Sequence, residues 1–136
     1  MVEVALALPL LAYVLLGGAD MARAYALQLA VQNGARAGAE AAAIDFSPTA
    51  VKAIARARDE MARTPGMDAN VAIVTAFFKQ PNGTTDCANP PTVAAPCYAT
   101  VQVRYTFRTV TPWPLIPNTF TFDRSTTMRM IVGLVS

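Results

Sequence analysis

The stretch VEVALALPLLAYVLLGGADMARAY, residues 2–25, continued by ALQLAVQNGARAGAEAAAI, residues 26–44, decides the fold. From Val4 to Ala19 it runs for 16 residues without a charge. As a helix rising about 1.5 Å per residue, that run is about 24 Å long, close to but short of the roughly 30 Å of a bilayer core. It spans only with help from snorkelling flanks or local thinning. Beyond Ala19 come Asp20 and Arg23, yet the composition stays helix-forming as far as Ile44. The reading is one rod of some 40 residues, about 60 Å long. A small domain cannot bury such a rod alone, so it needs a bilayer, a partner or copies of itself.

The chain has 136 residues, which divides it into a stalk, residues 1–45, and a small head, residues 46–136. The overall charge of +2 is uneven: the stalk is net acidic, and the head carries nine basic against five acidic residues. Without a clustered basic stripe that surplus does not point to nucleic acid. Histidine is absent, which removes the commonest general base, metal ligand and pH switch. No phosphate loop, nucleophile elbow or metal cluster appears, so neither catalytic residues, a cofactor nor a metal is expected.

Cys87 and Cys97 stand ten apart in PNGTTDCANPPTVAAPC, residues 81–97. They form a disulfide, two unrelated thiols or half of a metal site; with no histidine and no third cysteine, zinc would lack ligands, and the disulfide is the preferred reading. Closing that loop contributes about 3 kcal/mol by the chain-entropy relation and places the head in an oxidising compartment.

The expected fold class is α+β: the long apolar N-terminal helix, then a head with one helix and an antiparallel sheet of about three strands. Met1-Val2-Glu3 offers no basic leader before the apolar run and no cleavage site follows it, so either a leader has been removed or the anchor stays. Pro9 deletes one backbone hydrogen bond inside the run and should kink the rod. Ser47-Pro48 reads as an N-cap and first-turn proline opening a second helix through about Arg63, stopped by Thr64-Pro65-Gly66. Its expected apolar face is Val51, Ile54, Ala55, Met61 and Ala62, with Lys52, Arg56 and Arg63 solvated. Val71 to Phe78 has strand length and composition. Ala99 to Val110 alternates, with Val101, Val103, Tyr105 and Phe107 on one face. Phe120, Phe122, Met128 and Met130 mark a third strand. One face of the sheet is to be covered by the second helix or the stalk.

Every fourth residue from Gly18 is small: Gly18, Ala22, Ala26, Ala30, Gly34, Gly38 and Ala42. Such rows let helix backbones approach closely. The row advances about 40° beyond a full turn per step, so it winds round the rod and suits a bundle of many identical helices. Composition alone explains part of it, since 15 of the 27 residues from Gly17 to Ala43 are Ala or Gly. Glu3, the charge at the start of the run, either complements the N-terminal helix dipole or the membrane interface, or neutralises a positive group inside an apolar assembly.

The ordered pattern of Glu3, Pro9, a leucine-rich run, Asp20, Arg23 and then QNGARAGAEAAA, residues 32–43, resembles the N-terminal region of TadE-like pilins, the type IV-like subunits of the tight-adherence pilus machinery. The resemblance covers about the first 43 residues. It implies a prepilin whose leader is cut by a dedicated peptidase at the inner membrane and whose helix then packs into a filament core through the assembly machinery. It implies for Glu3 the role of guiding docking onto the preceding subunit. Such pilins usually carry this glutamate at the fifth mature position, whereas here it is the third.

Asn82-Gly83-Thr84 is a glycan acceptor triplet, and Thr84, Thr85 and Thr92 are candidate O-linked sites, although turn chemistry explains most such triplets. The loop Thr111–Pro117 carries the one tryptophan, Trp113, which it either buries against the sheet or presents to a neighbour or surface. The expectation is therefore a structural, non-catalytic subunit: held in the inner membrane, then polymerising with its own copies into an extracellular, adhesive filament. The alternatives are a minor pilin that primes or caps a fibre, or an anchored binding or adhesion module that never polymerises.

Overall fold

The computed structural model of the chain describes residues 2–45, 47–87, 92, 95–113 and 117–131, with Val2 and Glu3 described in backbone only. Among these, α1 runs from Val2 to Ile44 and α2 from Ala50 to Ala62, and β1 (Ile73–Lys79), β2 (Tyr98–Arg108) and β3 (Thr119–Arg129) follow. The three strands form one antiparallel sheet in the order β1-β2-β3. The expected α+β class is what forms, with both helices on the same molecule's sheet: α1 meets β2 and β3, and α2 meets β1.

The expected single rod is present as a 43-residue helix, about 64 Å long, with Pro9 accommodated inside it. Its two halves lie in different surroundings. From Val4 to Leu16 every residue is exposed, with Leu15 at 74% and Leu6 at 72%. From Leu27 on, the helix buries Leu27, Ala30, Val31, Ala35, Ala39, Ala42 and Ala43 at the spacing of a single helical face. The core therefore draws on residues from both sides of position 45, joining this face to Ala53, Ala57 and Met61 of α2 and to Val101, Val103, Tyr105 and Phe107 of β2. Fully burying a side chain such as Val101 or Val103 contributes about 1.5–3 kcal/mol.

The second helix departs from expectation at its start and along its face. Its N-cap is Thr49, extended at φ −129° and ψ 148°, whose side chain accepts the Lys52 N–H at 3.3 Å. Ser47 instead donates its own N–H to the Asp45 carboxylate at 2.9 Å, while Lys52 Nζ reaches the other Asp45 oxygen at 2.9 Å. Those donors, the Ser47 N–H foremost, hold the Asp45 carboxyl below its usual range. Proline at 48 disfavours helical geometry at the residue before it, so the helix opens after Pro48. The buried face is Ala53, Ala57 and Met61, with Ile54 beside it; Val51, Ala55 and Ala62 are exposed. The reason is proximity: a side chain at Gly34 would meet Met61 Cγ at 2.5 Å and the Ala57 carbonyl at 3.1 Å, and one at Gly38 would meet the Ala53 carbonyl at 2.8 Å. Opposite the two glycines the seam is filled by Ala53, Ala57 and the unbranched Met61.

On the sheet, the inner face of β2 is the one its alternation predicts, and β3 presents Phe122 and Met128 toward the same core, whereas Phe120 is exposed and Met130, buried, lies just past the strand's end at Arg129. The outer face is a polar ladder across β2 and β3. Thr100 and Thr127 share a hydrogen bond at 2.8 Å, Thr106 and Thr121 another at 3.3 Å, and Asp123 accepts from Gln102 at 2.8 Å and from Arg104 at 3.1 and 2.8 Å. Cys87 and Cys97 form the expected disulfide, tying the β1–β2 connection to the core, in which Cys97 is fully buried. The tip of that connection is a tight turn with Gly83 at φ +73°, a conformation that favours glycine.

Two outcomes follow. Gly38→Ala should lower head stability by about 1–3 kcal/mol through overpacking, whereas Gly18→Ala, with nothing within 4 Å, should be neutral or gain up to about 1 kcal/mol; thermal unfolding of the detergent-solubilised full chain measures both. The Gln102 amide, then the Arg104 guanidinium, holds the Asp123 carboxyl below its usual 3.8. Because the folded-state value is depressed, its contribution is complete above the unfolded value and is lost as the pH falls through the folded one. Asp123→Asn should flatten the acid limb of the stability curve below about pH 4 while leaving neutral stability lowered.

Candidate functional site

The part of the molecule without an internal explanation is the lower half of α1. Val4, Leu6, Leu8, Leu10, Leu11, Val14 and Leu15 point outward all round the helix, each more than 60% exposed. A helix apolar on every side does not rest stably in water. This one is long and apolar enough to cross a membrane.

Where this apolar half meets the head, Asp20 is the one charged side chain among the buried residues described. Its two oxygens accept the backbone N–H groups of Val110 and Thr111, each at 3.2 Å, and Arg23, one turn on, lies 3.4 Å from it. The Arg23 guanidinium also sits 5.8 Å from the centroid of the Phe107 ring. Asn118 closes the base of the same loop, accepting from the Trp113 N–H at 2.7 Å and the Thr109 hydroxyl at 3.1 Å. Thus held, Trp113 lies on the stalk itself and not against the sheet: its ring would be 2.7 Å from a side chain at Gly17, and it meets Tyr13 edge-on with ring centroids 4.7 Å apart. Gly17 is the point of close approach. Pro114, Leu115 and Ile116 of this loop lie outside the described residues.

The small-residue row divides. Gly18, Ala22 and Ala26 are exposed on the stalk. Ala30, Gly34, Gly38 and Ala42 are buried in the head, and for Gly34 and Gly38 the close neighbour is α2 of the same chain. The helix-to-helix approach expected of these two is satisfied internally, because the winding row turns toward the head in its upper half. Glu3 lies in the first turn of α1, with its side chain outside the description, as is Met1; Pro9 is exposed. Asn82 serves the 80–85 turn, accepting the N–H groups of Thr84 at 3.1 Å and Thr85 at 3.0 Å and donating to the Thr85 hydroxyl at 2.7 Å. Asn82, Thr84, Thr85 and Thr92 are all exposed.

Asp20 and its loop are what sequence reading missed. The available signal was a lone carboxylate at the junction of an apolar run and an alanine-rich helix, a position that demands donors; its partners lie 90 and 91 residues away.

Residues 1–40 match the TadE-like protein family. The TadE-like stretch covers nearly all of α1, including Asp20 and Arg23, and stops before the head's second helix and sheet. No curated protein and no solved structure matches the chain. The match and the apolar helix are together consistent with a pilus-associated, membrane-anchored protein.

Asp20→Ala leaves two backbone donors without their acceptor. The variant should release Trp113 from Tyr13 and Gly17, seen as a red shift of tryptophan emission and faster acrylamide quenching, while the circular dichroism of the sheet and α2 is retained.

Proposed function

We propose that the chain is a structural pilin subunit, held in the inner membrane by the lower half of α1 and then polymerising through that half into an extracellular, pilus-like filament. The observation that carries this reading is the all-round exposure of the apolar residues from Val4 to Leu16 in the stretch that matches the TadE-like family. Burying that surface among copies of the same helix replaces the lipid that covers it before extraction. Gly18, Ala22 and Ala26, exposed on the stalk, are where neighbouring helices approach closely, and Glu3 pairs with a positive group of the adjoining subunit. Prepilin peptidase and the pilus assembly machinery act on it beforehand. The heads decorate the outside, their disulfides formed in an oxidising compartment and any glycans at Asn82 or the nearby threonines facing solvent. The role is assembly and adhesion, without catalysis or a cofactor.

Electron microscopy of material sheared from producing cells, with gold-labelled antibody against residues 46–136, tests this. Continuous labelling along fibres is expected. Label only at fibre tips would make the chain a minor pilin, and label confined to membranes would replace the filament by a solitary anchor. In the same assay Ala22→Leu should abolish labelled fibres with the head still folded, because Ala22 is exposed on the stalk.

A further inference from the structure

Between the stalk and the end of the sheet lies an apolar pocket of about 210 Å³, lined by Gly17, Met21, Ala24, Phe107, Trp113 and Phe120, with Asp20 and Thr109 completing it. Its level along the stalk is informative. Trp113 meets Tyr13 and Gly17, both inside the uncharged run that ends at Ala19. Tyr13 lies six residues before that end, about 9 Å along the helix axis. If the run occupies hydrocarbon, the foot of the head cannot stay above the interface, because the Asp20 contacts to Val110 and Thr111 hold its loop at that depth. The surfaces flanking the pocket suit such a place: Val110 is 73% exposed, Met21 70% and Tyr25 64%, and Phe120 is also exposed. Exposed apolar side chains in a continuous belt with the stalk mark a membrane-facing surface, and Trp and Tyr are the residues that favour the bilayer interface. The belt also answers a shortfall, since a run of about 24 Å is shorter than a bilayer core of about 30 Å.

We propose that the foot of the head is a lipid-binding surface, its pocket taking the acyl chains of phospholipids in the leaflet from which the stalk emerges. The proposal rests on the membrane-anchored reading of α1. Trp113 is the only tryptophan of the chain, so the unmodified protein carries its own reporter at the pocket wall. The full chain is reconstituted into phosphatidylcholine vesicles, and flotation with resistance to alkaline carbonate establishes insertion independently of the foot. Emission is then read with phosphatidylcholine brominated near the carbonyl or near the methyl end of its acyl chains. Loss of most of the Trp113 emission is expected, greater with bromine near the carbonyl end because Gly17 lies only about 3 Å from the end of the run, together with protection from aqueous iodide.

Inserted protein whose Trp113 is quenched by iodide and not by bromine would overturn the lipid surface and leave the anchor standing. Emission indifferent to both quenchers and changing with the protein-to-lipid ratio would show that another subunit covers the foot, and would equally overturn it. Failure to float would remove the anchored reading and this proposal with it. Phe120→Asp, which places a charge on the exposed rim, should reduce bromine quenching at least as far as the iodide protection, with insertion retained.

Discussion

The close contact of α1 with α2 at Gly34 and Gly38 is the constraint on which the rest of the molecule hangs. With no side chain at these positions, an added carbon would clash with Met61 Cγ at Gly34 and with the Ala53 carbonyl at Gly38. That separation seats Ala53, Ala57 and Met61 of α2 against α1, and it lets Val101 of the sheet reach the same place, where it too would touch a side chain at Gly38. Helix, helix and sheet meet there in one core. The exposed polar ladder of β2 and β3 and the disulfide then secure a sheet whose inner face has already been chosen.

The same rod therefore does two unlike things. Its upper half is the spine of the head's core, and its lower half offers leucine and valine in every direction. Between them, before burial begins at Leu27, lies the buried Asp20. There a carboxylate that would be costly to bury alone is satisfied by two backbone N–H groups and by Arg23. The consequence is mechanical: the 109–113 segment is fastened to the stalk at two levels, by the carboxylate at position 20 and by aromatic contact at positions 13 and 17. The core fixes the head on the upper rod, and this second attachment holds the 109–113 segment against the stalk below it.

That second attachment links the head to whatever surrounds the stalk. In a membrane it brings Trp113 to the depth of the apolar run. In a filament the same foot would stand among neighbouring stalks. Either setting would act on one feature, an aromatic side chain held on a glycine of the helix. The exposed small residues Gly18 and Ala22 lie at the level of the foot and Ala26 just above it, where close approach of another helix and the position of the head would have to be compatible.

Much of this was legible in the chain because it depends on local periodicity. The rod follows from uninterrupted helix-forming composition, β2 from its strict alternation of Val101, Val103, Tyr105 and Phe107 with polar residues, and the disulfide from two cysteines without other ligands to join. What periodicity could not tell was which surface each element meets. The apolar residues of α2 suggested Val51, Ile54, Ala55, Met61 and Ala62 as its buried face; Met61 is buried and Ile54 partly so, but the rest of that face is Ala53 and Ala57, which lie opposite Gly38 and Gly34. The small-residue row looked uniform, and only its position relative to the head separates the part that closes on α2 from the part left exposed. Trp113 and Asp20 are some ninety residues apart, and no local rule pairs them. The sequence by itself determined the elements and the unbroken apolar rod, through spacing and hydropathy; that the rod's upper half forms the head's core is a property of the assembled structure. The tertiary structure alone decided the partners, because close approach and the satisfaction of a buried carboxylate are properties of surfaces brought together, not of any one segment.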